Sequence, residues 1–195
     1  MTTVPRPPAT GGLSGRCWNL ARLGLLGLLS APVGCGQSGS QVQMDSPEVA
    51  AYVQLVMPAR IEIQPHWTKP VDFTGDGSAD ALEVILKAYD ATGDLTKMVG
   101  TLHVELYTRR MASADRLAQR VAFWPVEFNS AESLTRHWDP LARFYFLQVK
   151  LAEAPLPVGR YILVARLQVP GQPRLEDEYE FTHEAGVVPP ASQRP

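Results

Sequence analysis

The chain has 195 residues, enough for one ordinary domain with a buried core plus short appendages and too few for two full domains. Its 18 basic and 20 acidic side chains give a formal charge of −2, but before Asp45 the only charged residues are Arg6, Arg16 and Arg22. Without residues 1–34 the chain carries 15 basic against 20 acidic side chains, which argues against the concentrated basic face that nucleic-acid binding requires.

Arg16 and Arg22 precede an uncharged stretch, LGLLGLLSAPVG over 23–34, that ends in small residues directly before Cys35. Basic, then apolar, then small is the order of a signal peptide. About twelve apolar residues are too few to cross the hydrocarbon core as a helix, so the expectation is a cleaved signal and not a permanent span. The only cysteines are Cys17 and Cys35. Everything after Cys35 therefore lacks a disulfide partner for it, and lipidation accounts for an otherwise solitary thiol. The remaining alternatives are an ordinary signal cleaved nearby and a buried apolar helix.

The run PVG, Cys35, GQSGS resembles the lipobox of bacterial lipoproteins, in which a small residue precedes a cysteine that is diacylated before the signal is removed. Gly34 and Val33 follow that pattern, while Pro32 stands where the family usually has Leu. The resemblance implies attachment to a membrane through Cys35, in the cell envelope on the periplasmic or outer-membrane side. Two acyl chains suffice for stable anchoring where one is marginal. Residues 1–34 are then the signal, and 35–57 a tether, flexible over 36–40, followed by a short helix.

Ser46, Pro47 and Glu48 have the form of a helix start, with a capping hydroxyl and proline at the first helical position. A helix is expected over Pro47–Val56, ended by Pro58. Alternating apolar residues then predict strands at 60–64, 81–89, 101–108, 144–151, 160–169 and 175–182. A weaker strand is expected over 120–128, where Pro125 calls for an edge or a bulge. Between the middle strands, Asn129 with Glu132 three residues later predicts a capping box and one or two helical turns to His137. Seven short strands with little helix predict a mainly β chain, a single antiparallel β-sandwich of immunoglobulin-like or transthyretin-like type over 58–183, with one face of each sheet wet. The Pro-rich segment 184–195 reads as a disordered tail.

The most informative stretch for chemistry is DFTGDGSADALE, residues 72–83. On the calcium-loop spacing, Asp72, Thr74, Asp76, Ser78, Asp80 and Glu83 fall at the ligand positions and Gly77 at the sharp bend. Alternate side chains of a tight loop converge on one point, and hard oxygens suit calcium. Pro70 before the loop and the β-like run after Glu83 argue against the flanking helices of an EF-hand. The competing reading is a polar turn whose carboxylates cap backbone amides. His66, His103, His137 and His183 are scattered and show no zinc spacing. Neither a nucleophile elbow nor a nucleotide-binding fingerprint is present. Phe123, Trp124, Phe128, Trp138, Phe144, Tyr145 and Phe146 gather in the middle third and are expected at the core or its edge. Glu176, Glu178 and Glu180 share one strand face, expected to be solvated.

Taken together, DGSADALEVILKAYD, GTLHVELYTRR, HWDPLARFYF and DEYEF resemble uncharacterised lipoproteins of planctomycete-type bacteria across residues 58–183. The resemblance implies a lipid-anchored β-sandwich with an acidic loop before its second strand, and no transferable activity. The first functional expectation is a non-enzymatic interaction or structural module whose partner is an envelope protein or a glycan. The second is a carbohydrate- or peptide-binding domain in which the acidic loop, with calcium, shapes the ligand site. An enzyme comes third. Exposed aromatics flanking the acidic loop would separate the first two.

Overall fold

The computed structural model describes residues 46–111, 114–152 and 154–192. Among the described residues the fold is mainly β, with two antiparallel sheets and two short helices. Helix α1 (Pro47–Val56) begins where the sequence predicts, with the Ser46 hydroxyl accepting the Val49 N–H at 3.2 Å and Pro47 at the first helical position. One sheet has the order β1 (Arg60–Ile63), β3 (Ala81–Tyr89), β7 (Phe144–Lys150), β6 (Trp138–Asp139). Strand β2 (Lys69–Val71) also pairs with β3. The other sheet has the order β5 (Leu117–Phe128), β4 (Gly100–Arg109), β8 (Gly159–Gln168), β9 (Leu175–His183).

The period-two patterns fix which faces turn inward. Leu82, Val84 and Leu86 of β3 and Leu147 of β7 meet Leu102, Val104 and Leu106 of β4 and Leu163, Ala165 and Leu167 of β8 in one buried cluster. Burying each of the larger side chains contributes about 1.5–3 kcal/mol. Tyr145 lies fully inside this cluster and its hydroxyl accepts the Met98 N–H at 2.9 Å. Burial pushes its phenol up to about 12, with the Met98 bond acting in the opposite direction. Phe128 packs edge-on to Tyr145 with ring centres 5.1 Å apart, and the Trp138 ring centre lies 5.0 Å from that of Tyr145.

Several expectations change in three dimensions. The helix after β5, α2 (Ala131–His137), is capped by Ser130 and not by Asn129. Ser130 and Ser133 exchange hydroxyl-to-amide bonds at 3.1 and 3.2 Å. The short serine hydroxyl reaches an amide directly, whereas Asn129 donates to Glu127 and Glu132 pairs with Arg136 one turn on. Strands β2 and β6, three and two residues long, are too short for an alternation to register. Pro125 sits on β5, the edge strand of its sheet, as a missing N–H demands.

The wet outer face expected of an antiparallel sheet fails at β3, where 81–86 are buried on both faces. Two segments account for this. Between β1 and β2 the chain leaves the sheet over 64–68, and the Thr68 hydroxyl fills the gap by accepting the Ile85 N–H at 3.0 Å. At the other end of the chain, where a disordered tail is expected, Asp72 donates its N–H to the Pro189 carbonyl and its own carbonyl accepts the Ala191 N–H. Ser192 then donates its N–H to the carboxylate of Glu83.

On the second sheet, Glu176, Glu178 and Glu180 face outward as expected, but they are engaged with arginines of β8, of β4 and of the turn before β5. Arg166 binds Glu176 at 2.9 Å, Arg109 binds Glu180 at 2.6 Å, and Arg116 binds Glu178. Glu105, buried at the centre of this face, pairs with both Arg120 and Arg166.

Candidate functional site

The acidic loop joins β2 to β3. Gly75 and Gly77 adopt φ of 83° and 86°, a left-handed backbone that glycine enters without a Cβ penalty. These bends turn successive amides inward onto the Asp72 carboxylate, which is only 8% exposed. Its Oδ1 accepts Gly75 N–H at 2.6 Å and Asp76 N–H at 3.3 Å, and its Oδ2 accepts Gly77 N–H at 2.7 Å. Asp80 closes the loop from its far side by accepting Phe73 N–H at 2.6 Å and Thr74 N–H at 3.2 Å. Burial alone would raise the Asp80 carboxyl, but these amide bonds outweigh it and hold the group below its ordinary value. Asp76 accepts the Ser78 N–H at 2.8 Å.

The six residues at calcium-ligand positions thus divide. Asp72, Asp76 and Asp80 spend carboxylate oxygens on backbone amides of their own loop, and Thr74 and Ser78 donate amides within that network. Glu83 lies on β3, 2% exposed, with the Ser192 N–H on one oxygen and Lys69 Nζ 4.0 Å from the other. Among the described residues, no group of three or more His, Cys, Asp or Glu side chains is arranged to hold a metal ion. Cys35, the residue expected to carry the lipid, lies outside the described residues. Among those residues no helix is long and apolar enough to cross a membrane.

A groove of about 670 Å³ runs alongside the loop on the outer face of the five-stranded sheet. Asp72, Phe73, His137, Phe146, Gln148 and Ser192 contribute to its lining. Phe73 is held against the ammonium of Lys150, 3.5 Å from its ring centre. A second depression of about 250 Å³ shares Phe146 and Ser192 with the first and adds His66, Trp67 and Phe144. Trp67 is 52% exposed and meets Phe144 edge-on at 5.3 Å. Aromatic side chains therefore do flank the acidic loop.

The 64–68 excursion is what aims Trp67 outward. The Trp67 and Thr68 amides both donate to the Gln64 carbonyl, and Thr68 is buried while Trp67 is not. The sequence signal for this was a proline-flanked interruption, QPHWTKP, between two short β-like runs. No adjacent residue type distinguishes an outward tryptophan from a buried one. The covering strip at Pro189–Ser192 left no periodic trace at all. Of the aromatic group expected at the core, Phe128 and Tyr145 are buried, Phe144 and Phe146 border the groove, and Phe123 is exposed beside His103.

No protein-family model matches the chain, and no curated protein matches it either.

Proposed function

We propose that the protein is a non-enzymatic, lipid-anchored module of a bacterial cell envelope that binds a glycan in the groove on the outer face of its five-stranded sheet. The observation that carries the ligand reading is the half-exposed Trp67 ring, fixed against Phe144 in a depression that shares Phe146 and Ser192 with the groove beside the acidic loop. Aromatic faces beside amide, imidazole and hydroxyl groups suit a ligand whose rings have one apolar face and a polar rim. An extended peptide added as a strand is less well served, because the free edges of this sheet are strands of two to four residues.

The acidic loop shapes one wall of the groove. Its carboxylates hold backbone amides, a structural task that does not require calcium and does not leave them poised for acid or base chemistry. The membrane is the partner at the other end of the chain, through Cys35. We read the two sheets as a sandwich of immunoglobulin-like or transthyretin-like kind. The approach of β1 to β9, where Asp177 accepts the Ile63 N–H at 2.7 Å, supports closure along that side.

Two experiments test the proposal. Screening the protein against envelope glycans and extended peptides should return a glycan, with at least a tenfold loss of affinity on Trp67→Ala and unchanged thermal stability. Peptide binding, or binding indifferent to Trp67, overturns the ligand reading. Mass spectrometry of the membrane fraction should find diacylglycerol on Cys35, and an intact 1–34 segment there overturns the anchor.

A further inference from the structure

We propose that α1 and the adjoining end of the fold lie in the interfacial layer of the lipid bilayer, holding the acidic loop on the side away from the membrane. The inference rests on the Cys35 anchor proposed above.

The register of the sheets defines two ends. Arg60 pairs with Tyr89, so α1, which precedes β1, lies at the Tyr89 end of β3, while Ala81 and the acidic loop lie at the other. Nine residues of β3 separate them, roughly 27 Å at about 3.4 Å per step. Gly100 opposite Phe128, and the turn at Pro170 after β8, fall at the α1 end as well.

Helix α1 is unlike a helix destined for water. Glu48 is its only charge and Gln54 its only other strongly polar side chain, and none of its residues is buried. Tyr52 is 71% exposed and Val56 61%. A ten-residue helix rich in β-branched valine is marginal on its own in water, and a helix apolar all round is ordinarily covered. Its end is tied to the fold, since the Thr96 hydroxyl donates to the Val56 carbonyl at 2.6 Å. Directly beyond it an apolar groove of about 430 Å³ opens between Met57, Val99, Phe128, Leu134 and Pro170. Leu141, 95% exposed, sits in the β6–β7 turn at the same end.

The occupant follows from where the chain leads. Cys35 is eleven positions before Ser46, a reach of at most about 40 Å even fully extended. The first described element after Cys35 is α1, so anchoring keeps this apolar end at a high effective concentration next to lipid. Tyr52, an apolar ring with a polar tip set among apolar side chains, suits the boundary between lipid and water.

Nitroxide labels test this on full-length lipidated protein in vesicles of phosphatidylethanolamine and phosphatidylglycerol. With the Cys35 sulfur acylated, Leu55→Cys provides a single free thiol on α1, and Val187→Cys, at a fully exposed position beyond β9, provides one at the opposite end. Relaxation by lipid-soluble oxygen relative to a water-soluble nickel chelate should be several-fold higher at position 55 than at position 187. Equal ratios overturn the inference. Spin–spin broadening at position 55 would assign the surface to a second copy and overturn it too. The mass of Cys35 from the same vesicles separates the two failures. Diacylglycerol present with position 55 in water leaves the anchor standing and removes this inference, whereas its absence removes both.

Discussion

Replacing Asp72 by alanine removes the acceptor on which the acidic loop is built. The carboxylate holds three amides, two of them at 2.6 and 2.7 Å and one at 3.3 Å. Hydrogen bonds to a charged partner contribute about 1.5–3 kcal/mol each. The two short ones set the scale, and because Gly75, Asp76 and Gly77 are exposed their amides regain water once the carboxylate is gone. That discount leaves an expected loss of about 2–3 kcal/mol, or roughly 8 °C in Tm for a domain of this size. Asp72→Asn keeps one acceptor oxygen and turns a donor toward an amide, so it should lose at least half as much. The backbone of Asp72 still pairs with Pro189 and Ala191 in both variants, which isolates the side chain's part. Urea unfolding followed by circular dichroism at pH 7 measures it, with an unchanged dependence on denaturant as the check that only stability moved. A loss under about 0.5 kcal/mol for Asp72→Ala would refute the view that this carboxylate organises the loop.

Further outcomes follow from the same geometry. Gly100 has φ of 107°, and a Cβ there would come 2.1 Å from the Gln168 carbonyl oxygen, so Gly100→Ala should cost about 3 kcal/mol by urea unfolding, and a loss under about 1 kcal/mol would contradict the close approach of β4 to β8. Asp80 titrates below its ordinary value in the folded chain; its contribution is therefore complete above the unfolded value near about pH 4 and lost as pH falls through the lower folded value, so Asp80→Asn should flatten the acid limb of the stability curve. Calcium up to a few millimolar should leave Tm unchanged, since the loop carboxylates already hold amides; a rise of several degrees that Asp76→Ala abolishes would restore the metal reading. Glu105→Gln should destabilise by about 2 kcal/mol, because it uncouples Arg120 and Arg166 from the buried centre of the second sheet.

Apart from the four-residue β1, the strands legible in the sequence are the long ones whose inward face is repeated often enough to register, such as Leu102, Val104 and Leu106 in β4 or Tyr161, Leu163 and Ala165 in β8. Strands β2 and β6 are not legible, since two or three residues carry no period. The cap of α2 is Ser130, one residue after Asn129; both residue types are competent caps, and Ser130 has the extended backbone of a cap, with φ of −142° and ψ of 157°. In the acidic loop, the spacing of Asp72, Asp76 and Asp80 was legible along with both of its uses, ion binding and amide capping. Where the loop amides point is not legible; Gly75 and Gly77 set it through their positive φ.

By itself the sequence determined the mainly β character, the inward face of each long strand, the position of α1 and the tight glycine turn of the acidic loop. Each of these follows from residues within a few positions of one another. Only tertiary structure decided that Thr68 repairs the edge of β3, that Ser192 reaches Glu83 across 109 positions, and that Trp67 stands over Phe144 beside the loop. Those contacts join segments distant in sequence, and nothing local in either partner encodes the other. The groove exists because two such segments cross the same sheet face, so it became visible only once the chain had folded back on itself.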